Sequence, residues 1–101
     1  MTVKLIALYQ RPDDVDAFLD HYRQVHLPLI EKVPGLLRTI VNHTDKVLIG
    51  DTAPFLIAEM HFADPAAFDA AMASPENRAA GKDLMGFAKG LVTLIAAAST
   101  D

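Results

Sequence analysis

Tyr22 and His26 stand four residues apart, one turn of a helix, so a helical backbone puts a phenol and an imidazole on the same face. An imidazole exchanges a proton near neutral pH and a phenol donates a hydrogen bond. Beside apolar neighbours the two form an acid/base pair suited to an aromatic or enol-like small molecule. The same histidine also fits a plainer role at the edge of the core, bonding a carbonyl that the following Pro28 leaves free. Burial would favour its neutral ring and a helix C-terminus its charged one.

A second group lies further along. Glu59 interrupts the apolar run FLIAEMHF, and a carboxylate in such a strand must find a partner, be neutralised or face a pocket. An ion pair with Arg38 or Arg11 is the structural alternative. His61, two residues on, shares the strand face of Glu59 and would line the same wall. With Tyr9 as a rim aromatic, these residues give a candidate set: His26 and Tyr22 for proton transfer, and Tyr9, Arg11, Phe18, Glu59 and His61 for contact with substrate. His21 and His43 read as exposed or loop-borne.

Other chemistries lack a signal. There is no cysteine, and Ser74 and Ser99 are the only serines, which removes thiolate chemistry and any GxSxG hydrolase. No GxGxxG or P-loop is present, so no nucleotide cofactor is expected, nor flavin or haem absorbance in the purified protein. His21 and His26 are five apart, which in an α-helix puts them on different sides, unlike the zinc-binding HExxH pair. Met60, Met72 and Met85 read as core fillers.

The elements that must position these residues follow from periodicity. Val3 to Tyr9 is a short apolar run bounded by Arg-Pro and reads as a strand. A helix starts near Asp13 with an acidic first turn, and Val15, Phe18, Leu19, Tyr22, Val25, His26 and Leu29 form its buried stripe. Pro28 should break or kink it within a residue or two of His26, leaving one short turn closed at Pro34-Gly35. Leu36 to Asn42 and Phe55 to Phe62 read as strands, joined by a long connection over 43–54. Asp64-Pro65 and Ser74-Pro75 each signal a helix start, giving helices over 65–73 and 75–84. Leu91 to Ala98 is apolar on both sides and reads as a central, doubly covered strand.

The order strand, helix, strand, strand, helix, strand is the βαββαβ pattern of an α+β, ferredoxin-like domain spanning 1–101: a four-stranded antiparallel sheet with its helices on one face. Several strands are apolar on both faces, where a half-solvated sheet should alternate, so a second copy is expected to cover the bare face. At 51% hydrophobic and 22% charged residues, with a formal net charge of −4, nucleic acid and anionic membranes are not expected partners. The first residues lack a signal-peptide pattern and no run is long enough to span a bilayer, which suggests a cytoplasmic protein.

The residues Val3 to Tyr9, Arg11-Pro12, Phe18, Tyr22, His26-Leu27-Pro28-Leu29, Pro34-Gly35-Leu36, Ala58-Glu59 and Asp64 together resemble the EthD family, named for ethyl tert-butyl ether degradation. The resemblance covers nearly the whole chain and implies a dimeric α/β barrel, in which two ferredoxin-like sheets face each other. It carries a loose oxidoreductase association. Superfamily relatives include cofactor-free cyclases, isomerases and quinol monooxygenases as well as haem-handling enzymes, so the fold selects no single chemistry. His26 matches the family's His-x-Pro-Leu motif, and Phe18, Tyr22 and Glu59 match weaker positions. The resulting expectation is a small protein that binds an apolar or aromatic metabolite between helix and sheet, with His26 as acid/base in an oxidoreductase, isomerase or cyclase. The alternative is a non-catalytic small-molecule-binding or accessory protein of a degradation pathway.

Overall fold

Asp14, Asp64 and Ser74 each accept a hydrogen bond from the amide three residues on, at 3.0, 2.8 and 3.1 Å, and those three caps start the helices. In the computed structural model, which describes residues 1–100, β1 (Val3–Tyr9) leads into α1 (Val15–His21), a π-helical turn (Tyr22–His26) and α2 (Leu27–Ile30). Then come β2 (Arg38–His43), β3 (Leu56–Phe62), α3 (Pro65–Met72), α4 (Pro75–Phe87) and β4 (Val92–Ala98). Helix α1 thus begins one cap later than the sequence suggests, at Asp14 instead of Asp13.

The strands form one antiparallel sheet in the order β2-β3-β1-β4, the ferredoxin-like arrangement. Register fixes its two faces. Val3, Leu5, Ala7 and Tyr9 of β1 lie beside Leu56, Ala58, Met60 and Phe62 of β3 on the helix-covered face, and every one of them except Leu5 is buried. The opposite face carries Lys4, Ile6, Leu8, Ile57, Glu59 and His61, with Ile40 and Asn42 from β2 and Ile95 from β4. Among the described residues no helix lies over that face.

Two expectations are corrected. β4 is an edge strand, not a central one, and it is exposed on both faces. Its apolar composition reported apolar surface, whereas strand order depends on tertiary pairing that periodicity does not encode. Val25 is exposed, although straight helical spacing put it on the buried stripe.

The π-helical turn explains Val25. Pro28 has no amide hydrogen, and its ring would crowd the carbonyl of Gln24 in a regular α-helix. The backbone widens instead, and Leu27 N–H bonds the Tyr22 carbonyl five residues back. The regular α-helix is interrupted beside His26, where a break or kink is expected, by a wider turn after which the helix continues, and the buried residues there are Tyr22, His26 and Ile30. No helix is long and apolar enough to cross a membrane among the described residues.

Candidate functional site

Because the turn from Tyr22 to His26 is wide, residues five apart come round to the same side. His21 and His26, which α-helical spacing would separate, both reach Asp83 on α4. His21 Nε2 lies 2.8 Å from Asp83 Oδ1 and His26 Nδ1 lies 3.0 Å from Oδ2. One carboxylate accepts from two imidazoles. That fixes the proton of neutral His26 on Nδ1 and leaves Nε2 with its lone pair. Phe87, one turn beyond Asp83, packs against both rings, with centroids 4.6 Å from His21 and 5.1 Å from His26.

His26 is 3% exposed and borders a cavity of about 110 Å³ between helices and sheet. Tyr9, Leu5, Ala7, Met60 and Leu94 line it from the sheet, Tyr22 and Ile30 from the first helical run, Met72 from α3, and Asn77, Ala80, Gly81 and Leu84 from α4. Asp83 is outside that lining, and among the described residues the only side-chain hydrogen bond of the His26 ring is the one from Nδ1 to Asp83. Half-exposed Leu94 puts one wall at the β4 edge of the sheet.

Besides His26, the polar side chains on the lining are the two phenols and the amide of Asn77. The Tyr9 ring meets Tyr22 edge-on at 5.6 Å and Phe18 at 5.5 Å, while Phe18 stacks parallel to Tyr22 at 6.3 Å. The Tyr22 and His26 rings are 5.7 Å apart. No hydrogen bond to another protein side chain is found for either phenol hydroxyl among the described residues, and neither is a fully buried oxygen without a partner.

Burial pushes the Tyr22 hydroxyl up to about 12. Burial first, then the charges of Tyr22 and Asp83, push Tyr9 higher still. Both phenols are therefore hydrogen-bond donors at neutral pH, not anions. Burial lowers the proton affinity of His26 below the usual histidine range, and His21 lowers it further, against the raising influence of the Asp83 hydrogen bond and charge. The result is a neutral imidazole whose free nitrogen is a base.

The structure thus brings His26, Tyr22 and Tyr9 together and separates the rest. Phe18 backs the two tyrosines without lining the cavity. Arg11 sits on a different, open hollow that it shares with Tyr9, Thr52 and Pro54, its guanidinium 5.6 Å over Phe55. Glu59 and His61 are on the far side of the sheet from His26. There Glu59 accepts from Asn42 at 3.1 Å and lies 3.9 Å from Lys4, so neither Arg38 nor Arg11 is its partner. His61 Nε2 is 3.4 Å from Glu59 but not aligned for a hydrogen bond.

Asp83 and His21 escaped the sequence reading. The available signal was the helical phase of Asp83, three residues after Ala80 and one before Leu84, at the margin of the buried stripe of α4. Among the described residues no group of three or more His, Asp or Glu side chains is arranged to hold a metal ion.

Comparison with known proteins gives a family, a relative by sequence and several structures of the same fold. A family model described as the EthD domain matches residues 11–90. An 11.0 kDa protein from the thcB-thcC intergenic region of Rhodococcus erythropolis is 30% identical over 92 residues, 91% of this chain and 89% of that one. The crystal structure of an ethyl tert-butyl ether degradation (EthD) family protein from Bacillus halodurans superposes with a TM-score of 0.92 at 40% identity, covering 99% of this chain and 100% of the other. The fold alone is shared with a cofactor-independent oxygenase from Streptomyces nogalater, at 14% identity, a TM-score of 0.70, and 99% and 94% coverage. The same holds for a dimeric ferredoxin-like protein from Jannaschia, at 13% identity, a TM-score of 0.75, and 98% and 100% coverage.

Proposed function

The chain belongs to the EthD family, and from that premise we propose that it binds a small apolar or aromatic metabolite bearing one oxygen function, with His26 as a cofactor-free general base. The observation that carries this reading is the His26 ring itself: buried, held through Nδ1 by Asp83, and bordering an apolar cavity with Nε2 free. A carbonyl or phenolic oxygen placed there can take hydrogen bonds from Tyr9 and Tyr22 while Nε2 removes the neighbouring proton. Isomerisation, cyclisation and cofactor-free oxygenation of an electron-rich ring all begin with that step. The oxygenase of the same fold from Streptomyces nogalater gives the oxidoreductase direction a precedent.

Small enolisable ketones test the reading. The protein should accelerate exchange of the α-hydrogens of acetophenone in deuterium oxide, followed by NMR, and His26→Asn should lose that acceleration. If neither ketones nor small phenols bind or exchange, the proposal fails.

The working unit in this proposal is a homodimer. Ile6, Leu8, Ile40, Ile57 and Ile95 share a sheet face that no helix covers, and Ile95 is 43% exposed. These side chains would be shielded from water by a second copy, and the Jannaschia protein of the same fold is dimeric. Two such sheets facing each other make the dimeric α/β barrel and leave the helix-side cavity of each protomer intact.

A further inference from the structure

Asp83 is shared, and the sharing bears on the base. Its Oδ2 faces the buried His26 and its Oδ1 faces His21, whose side chain is 35% exposed. We infer that His21 is a positioning residue for the His26 base: it clamps the second oxygen of Asp83 and competes with His26 for the one negative charge they share. This rests on the proposed role of His26 and extends it by naming the group that sets how strongly that ring holds a proton.

The geometry leaves little alternative for the carboxylate. A carboxylate held at one oxygen can rotate about its last bond. Held at both, at 2.8 and 3.0 Å, it presents Oδ2 to His26 in one orientation. The π-helical turn is what makes this double hold possible, since it returns His21 and His26 to one side of the run. Phe87 packs against both rings beside the carboxylate.

The electrostatic consequence follows from charge counting. A proton on the outer ring pairs it with Asp83 and removes part of the attraction that would stabilise a proton on the inner one, so the two imidazoles oppose each other's charging. The lowering influence of His21 on His26 has this sign. The other ionisable groups facing the pair are few. Tyr9 of β1 and Tyr22 of the same run border the His26 cavity and stay neutral near pH 7. Asp14, before α1, shares a shallow hollow with His21 and Phe87. The outer ring meets solvent there, and the inner one does not.

The test needs no substrate, so its outcome separates from that of the functional reading. Ring nitrogens of the ¹⁵N-labelled protein are titrated by NMR. In the unaltered chain His26 should carry its proton on Nδ1, and the opposite tautomer would overturn the inference. His21→Gln keeps an amide donor for Asp83 but no charge, so the His26 midpoint should move up. Asp83→Asn, which removes the charge both rings share, should move it down. An unmoved or lowered His26 midpoint in both His21→Gln and His21→Asn, with the fold intact by circular dichroism, refutes the role of His21. Coupling that survives in a protein without turnover would instead refute catalysis while leaving the coupling in place.

Discussion

Asp83→Ala is the perturbation whose cost the structure sets most directly. It removes both hydrogen bonds of the carboxylate, but their two ends are not equivalent. The His26 side chain is 4% exposed, so its Nδ1–H would be left without an acceptor and out of reach of bulk water, a cost of about 1–3 kcal/mol. The His21 end is part-exposed and can turn to water, so it adds about 0–1 kcal/mol. Alanine returns roughly 0.5 kcal/mol through its better helix propensity within α4. The net loss should be about 0.5–3.5 kcal/mol, a fall in Tm on the order of 2–17 °C for a domain of this size. Thermal and urea unfolding at one fixed protein concentration measure it, since association would otherwise shift the midpoint. His21→Ala under the same conditions should cost less than about 1 kcal/mol. A loss below about 0.5 kcal/mol for Asp83→Ala would refute the argument that this carboxylate satisfies a buried donor.

Further outcomes are expected. His26→Asn should abolish proton exchange on ketones while staying within about 1 kcal/mol of the parent in stability, because no core volume is emptied; heavy unfolding with full activity would reassign His26 to the fold. Since the folded His26 is lowered below its unfolded value of about 6.5, the unfolded chain binds more protons below that pH. The His26 contribution to stability is therefore full above about 6.5 and is lost as pH falls through the folded value; urea midpoints from pH 8 to 5 should show an acid slope that His26→Asn reduces. Tyr22→Phe should weaken binding of small phenols with little change in melting temperature, seen by titration calorimetry. Ile57→Lys, on the uncovered sheet face, should shift sedimentation at micromolar concentration from dimer to monomer.

Much of the fold was legible because its signals are local. The alternation in FLIAEMHF gives β3 almost to the residue, and Asp64-Pro65 and Ser74-Pro75 mark two helix starts that the structure places at those prolines. The adjacency of Tyr22 and His26 on a buried stripe was equally readable, since four-residue spacing survives the wider turn. What local pattern could not supply was the effect of Pro28 on phase. Counting in steps of the α-helix set His21 and His26 apart and put Val25 on the buried stripe, and both expectations fail at the wider turn, while the side chain of His21 stays part-exposed. Asp83 was hidden differently, since a carboxylate on a helix margin looks solvated until a distant segment brings it donors. Glu59 and His61 were correctly paired with each other on one face, but alternation cannot say which face the helices cover.

The widened turn amounts to one residue inserted into a helix that absorbs it without unravelling. Its presence divides the run into two halves with different angular settings, each matched to a different neighbour: Phe18 toward the aromatic cluster, His26 and Ile30 toward the cavity and α4. A regular α-helix through the same residues, at about 100° per residue, would set His21 and His26 about 140° apart and point one imidazole away from the carboxylate. Removing a single residue between Tyr22 and His26 would instead bring the two histidines to a spacing of four, which a regular helix holds on one face. The site therefore depends on residue count and helical pitch together, and an alignment that lets a gap fall in this turn can still match both histidines in space as well as by letter.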